Sequence, residues 1–192
     1  MAKPPAESTY ARIVGEVAIA WNNLERRLDS LAFMYLGVDT AVGGFILGEL
    51  QNATKAELAK YLIERFEKKA AIKSHALHAV NLINRSRENR NIIEHSNPHA
   101  FRGSYEGIIH KISKRGDYVV FDAPMPTLKA MAKSMRDADS YIRWIQHTIT
   151  SQREADDPEI AAAMLQALAS LDKPALPDKI APVPPSEDPG NP

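Results

Sequence analysis

The sequence predicts an all-α fold, an antiparallel bundle of four to five helices with one small β-hairpin inserted. Three observations predict it. Apolar residues recur three and four positions apart over two long stretches, helix start and stop residues bound most of the apolar runs, and only residues 105–122 have the texture of strands.

The first stretch, residues 8–36, is apolar at Tyr10, Val14, Val17, Trp21, Leu24, Leu28, Leu31 and Tyr35. Alternate steps of four and three give the narrow stripe of a helix packed lengthwise on others. Gly37 is a natural stop. Between Asp39 and Gln51 the glycines leave a short helix or a loop equally open. Thr54 with Glu57 reads as a capping box opening a helix through Leu58, Leu62 and Phe66 to about Lys69. Another helix starts near Ile72, is apolar at Leu77, Val80 and Ile83, and ends near His95 or Ser96, because Pro98 disfavours helical geometry at Asn97.

Ile108, Ile109, Ile112 and Tyr118 to Phe121 flank Lys114-Arg115-Gly116-Asp117, which reads as the hairpin. Thr127 is expected to cap a long helix with Leu128, Met131, Met135, Ala138, Ile142, Ile145 and Ile149 on one stripe. Asp157-Pro158-Glu159 starts a last helix reaching about Leu171. The helical domain is thus residues 8–172. The Pro-rich residues 173–192 have few large apolar side chains and are expected to be disordered and dispensable.

Composition narrows the function classes. Lys+Arg and Asp+Glu are 24 each, so no global field draws the chain to nucleic acid or membrane, and any such partner needs a local patch. The absence of cysteine removes thiol chemistry, disulfides and Cys-based zinc sites. No signal-type apolar segment opens the chain, and the apolar run 41–50 is too short to span a bilayer, so a cytoplasmic protein without a membrane partner is expected. His75 and His78 share a helix face but have no obvious third ligand, so no metal or other cofactor is expected. Residues 43–48 lack the Gly-Lys-Ser/Thr of a phosphate-binding loop.

The end of the helix near residue 90 departs from the pattern. It carries Arg85, Arg87, Arg90, Asn84, Asn89 and Asn91, then Glu94 and His95, and keeps only Ile92 and Ile93 as apolar residues. Charged runs are usually solvated faces, and a solvated helix end is the plain reading.

Arg90-Asn91-Ile92-Ile93-Glu94-His95 resembles the R-N-x-x-x-H signature of HEPN domains, and Trp21-Asn22-Asn23-Leu24-Glu25 resembles the W-x-x-L-E opening of several bacterial HEPN-like families. The resemblance covers about residues 8–150 and implies a metal-independent endoribonuclease in toxin–antitoxin, phage-defence or stress response. It casts Arg90 and His95 as the catalytic pair. Arginine suits the phosphate, as a permanently charged fork, and histidine suits proton transfer near neutrality. On an ideal helix the two lie about 140° apart, a poor clamp from one copy, whereas the resemblance implies composite sites in a homodimer. Long apolar stripes argue for the same dimer. Glu94 is placed to hold Arg90 by an i,i+4 pair, Asn91 to orient His95 and Arg87 to draw phosphate. RNA and an antitoxin or regulatory protein are the implied partners. The modifiable Tyr that some HEPN toxins carry two residues after the His is Asn97 here, which puts that regulation in doubt. A non-catalytic helical dimer that binds nucleotide or RNA, or scaffolds a partner, is the alternative.

Overall fold

A computed structural model describes residues 6–94, 97–98, 108–112, 118–154 and 157–183. Among them, six helices run in the order α1 (Ala6–Leu36), α2 (Thr40–Gly48), α3 (Asn52–Phe66), α4 (Ala70–Glu94), α5 (Met125–Glu154) and α6 (Pro158–Ala169). Strands β1 (Asn97–Pro98), β2 (Ile108–Ile112) and β3 (Tyr118–Asp122) lie between α4 and α5 and pair antiparallel in that order, with His110 opposite Val120. The protein is mostly helical, and none of these helices is long and apolar enough to cross a membrane.

Helix α1 is the central element and packs against α3, α4 and α5. Its stripe is buried at Tyr10, Val17, Trp21, Leu24, Leu28, Leu31 and Tyr35, with Ile13 buried while Val14 is only partly so. Gly37 ends it at a φ of 65°, where a side chain would be strained. Helix α5 buries every stripe residue from Leu128 to Ile149. Because one chain covers both stripes, surplus apolar surface on them is not an argument for a second copy.

Helix α2 makes six helices where four or five were expected. Its glycines serve packing: a Cβ on Gly43 would lie 1.9 Å from a Phe33 ring carbon, so only glycine lets α2 approach α1 this closely. Its outward side shows apolar residues instead, with Phe45 74% exposed beside Val42 and Ile46. Two expected caps also move. Helix α3 starts at Asn52, so Thr54 lies inside its first turn, and α5 starts at Met125, ahead of Thr127. Asp157 caps α6 as its residues foretell, accepting from the Glu159 amide with Pro158 behind it.

The expectation of a disordered tail is overturned for residues 173–183; residues 184–192 lie outside the described residues. The segment runs extended along α4. His78 Nε2 donates to Pro174 O at 2.7 Å, and Asn89 donates to Asp178 O at 2.7 Å while accepting from the Ile180 amide at 3.1 Å. Val183 N then bonds Val120 O at 2.8 Å, joining the segment to β3. Composition misses this because the segment is held mainly by its backbone; only Pro177 and Ile180 are buried.

Beside this segment, His75 is buried with Nδ1 at 2.7 Å from Tyr141 Oη. Burial, assisted by Lys173 and His78, holds its pKa below the usual histidine value.

Two outcomes follow from these contacts. A chain ending at Lys173 should melt several degrees lower than the full chain by circular dichroism, a loss of about 1–3 kcal/mol from its hydrogen bonds and Ile180. An unchanged Tm would show that the segment contributes nothing. Stability should also fall as pH drops through the ordinary histidine range, because unfolded His75 takes up a proton before the folded residue does. The loss begins at the ordinary histidine pKa and levels off below the depressed one. His75→Gln should flatten that slope, and a slope that persists would assign it to other groups.

Candidate functional site

Helix α4 does not end as a solvated run. Ser86 and Asn89 are fully buried and Arg90 keeps only 24% of its side chain exposed. One side of these turns is covered by the 174–183 segment, the other by α1 and by the start of α3. Polar residues dominate here because the neighbours are main-chain groups and charges rather than an apolar layer.

Arg90 is held on three sides. Its NH2 pairs with Glu94 one turn on, as the i,i+4 spacing foretells, and its NH1 donates to Asn91 Oδ1 at 3.1 Å. Its guanidinium carbon stands 5.8 Å from the centre of the Trp21 ring, within cation–π range. Trp21 and Arg90, far apart in the chain, are therefore neighbours. Three contacts fix the guanidinium plane and leave Nε as a buried donor without a partner among the described residues.

A cleft of about 590 Å³ opens beside it, lined by Arg87, Glu88, Arg90 and Asn91 of α4 and by Gln51, Asn52 and Ala53 of α3. Arg87 NH1 and Asn52 Oδ1 are likewise buried without a described partner. Gln51, the N-cap of α3, makes no side-chain cap bond. First-turn amides have no intrahelical acceptor, and a helix N-terminus carries partial positive charge. Two guanidiniums facing such a terminus suit an anion with several acceptor oxygens.

The structure thus brings Arg87, Arg90, Asn91 and Glu94 together. His95 lies outside the described residues, as does the expected hairpin turn Lys114-Arg115-Gly116-Asp117. His78 spends its Nε2 on Pro174 O, and among the described residues no group of three potential metal ligands occurs. Sequence reasoning missed Gln51 and Asn52, which carry no charge, and undervalued Asn89. A cap read three residues too late, at Thr54 rather than Gln51, hid the α3 terminus.

Glu25 faces neither Arg90 nor the cleft. With Asp29 it holds Lys55 of α3, at 3.7 and 3.1 Å respectively. Lys55 is buried, and burial raises the Asp29 pKa against the opposing pull of that lysine. The cluster sets α3 on α1 and so positions the wall of the cleft.

Comparison of the chain with protein-family models, curated proteins and solved structures finds no match.

Two substitutions probe this geometry. Glu94→Gln removes the carboxylate that occupies Arg90, so inorganic phosphate should bind about fivefold tighter, an advantage that fades at high salt. Titration followed by NMR would show it; unchanged affinity would mean the cleft does not use Arg90. Lys55→Ala leaves two carboxylates facing each other and should cost about 1–3 kcal/mol in urea unfolding.

Proposed function

We propose that the chain is a HEPN-type, metal-independent endoribonuclease that cuts single-stranded RNA, with Arg90 and His95 as its catalytic pair. The observation that carries this reading is Arg90, fixed by Trp21, Asn91 and Glu94 at the wall of a cleft it shares with Arg87 and the α3 N-terminus. The antiparallel arrangement of the bundle, with the hairpin ahead of its long later helix as the residue pattern predicts, belongs to the same proposal.

In this reading the ribose 2′-oxygen attacks its own phosphorus and the bond to the 5′-oxygen breaks, leaving a 2′,3′-cyclic phosphate. The 2′-hydroxyl proton leaves to a base and the departing 5′-oxygen gains one. His95 takes these proton transfers. Arg90 and Arg87 neutralise the charge that gathers on the non-bridging oxygens. Glu94 keeps Arg90 in place before substrate arrives and yields to phosphate when it does. One copy offers a one-sided cleft, so the working form is a homodimer in which two motifs face each other. Toxin–antitoxin, phage-defence or stress-response service, and a cytoplasmic setting with an antitoxin or regulatory partner, follow from the resemblance alone.

A second reading, a non-catalytic helical protein that binds nucleotide or RNA or scaffolds a partner, is favoured by two observations. Arg90 is already paired with Glu94, and α2 exposes Phe45, Val42 and Ile46.

A mixed RNA pool incubated with chelator separates the two. The wild type should release fragments ending in 2′,3′-cyclic phosphate and leave DNA intact, for want of the 2′-hydroxyl. Arg90→Ala and His95→Ala should each slow cleavage roughly a hundredfold while circular dichroism stays unchanged. Cleavage that survives His95→Ala, or needs magnesium, would sink the mechanism. A wild type that binds RNA without cutting it would put the second reading first.

A further inference from the structure

The groove between α4 and α5 already holds an extended segment of the chain itself, and the way it does so has three features. First, recognition is of the main chain: His78, Arg85 and Asn89 reach the carbonyls of Pro174, Pro177 and Asp178, and Asn89 also takes the Ile180 amide. Asn89 thus offers a donor and an acceptor to the segment, as a neighbouring strand would. Second, side-chain anchoring is sparse. Pro177 and Ile180 are buried, while Leu176 and Val183 stay substantially exposed. Third, the fit is incomplete. A cavity of about 370 Å³ remains between the segment and Asn89, Thr127, Met131 and Ser134.

Main-chain recognition tolerates other sequences, and an unfilled cavity favours an occupant with a larger side chain. We propose that this groove is a binding site for an extended, proline-bearing peptide of another protein, and that residues 174–183 are its resident occupant, displaced when that peptide arrives. The partner carries a proline where Pro177 lies, a branched apolar residue where Ile180 lies, and an aromatic side chain near Leu176 to fill the cavity. The resident is tethered, so its effective concentration is high and weak peptides are excluded. The groove therefore selects by how well the cavity is filled. This site stands on α4 and α5 side chains that the ribonuclease reading does not use.

The test uses the full chain and a labelled peptide of residues 173–183 carrying tryptophan in place of Leu176, followed by fluorescence anisotropy. The wild type should bind it weakly and saturably. Ile180→Asp, which loosens the resident and leaves the groove intact, should bind it at least tenfold tighter. Asn89→Ala added to Ile180→Asp should lose that gain. Equal affinity for the wild type and Ile180→Asp overturns the proposal. Hydrogen exchange of the wild type gives a reading that needs no variant: the Ile180 and Val183 amides should exchange at least a hundredfold faster than that of Ile145. Exchange in step with Ile145 would mean the resident never leaves, and the proposal falls. A wild-type dimer that Ile180→Asp abolishes would give the groove to a second copy, and likewise overturns it.

Discussion

Every group at the candidate site is hung, directly or through one neighbour, on the buried stripe of α1. Burial of an apolar side chain is worth about 1.5–3 kcal/mol, and α1 contributes eight large ones between Tyr10 and Tyr35. The helix therefore has little freedom to rotate or slide. Trp21, at its middle, gives Arg90 a flat surface; Glu25 and Asp29, on the same helix, grip Lys55 and so seat α3. Further along, Arg27 donates to Asp139 of α5 at 2.7 Å, and Gln146 donates back to Arg27 O. Apolar burial sets the spacing of the helices, and these polar ties fix their rotation. A cleft between α3 and α4 can keep its shape only because both helices are referenced to α1.

The charge arrangement at α4 fits a chain with no net charge. Arg90 is balanced by Glu94, and Glu88 is shared between Arg85 and Lys179, so the cleft is not an open field of positive charge. What it offers is a set of donors already turned in the right direction. Ordered donors of that kind act on a ligand that has come close and add little to long-range attraction. A chain built this way depends on fit more than on steering.

Long amphipathic elements were legible in the sequence because one pattern recurs over many residues: the stripes of α1 and α5 fall where the spacing puts them, apart from Ile13 taking the place of Val14. The α6 start was legible too, since Asp157, Pro158 and Glu159 each have a distinct physical reason to stand there. Elements whose reasons are not local were missed. Helix α2 looked doubtful because glycine lowers helix propensity, and the benefit of Gly43 exists only once Phe33 is beside it. Residues 173–183 looked unstructured because their partners, His78 and Asn89, belong to a helix almost a hundred residues earlier. At the site, Arg90 and Glu94 were legible from i,i+4 spacing, while Gln51 and Asn52 could be found only by folding α3 against α4.

The two tryptophans occupy opposite surroundings, and that gives the molecule a built-in optical reporter. Trp21 is almost wholly shielded from solvent and lies under a guanidinium, whereas Trp144 is 39% exposed on α5. Indole emission moves to shorter wavelength in a dry setting and responds to a nearby charge, so the two rings should differ in emission wavelength and in access to a quencher. An event that draws Arg90 away from Trp21 should act first on the short-wavelength component. An acrylamide quencher should reach the partly exposed Trp144 before the shielded Trp21 and so bring that signal forward. The chain can thus announce a change at Arg90 without a label, through a ring whose first duty is to fill the core.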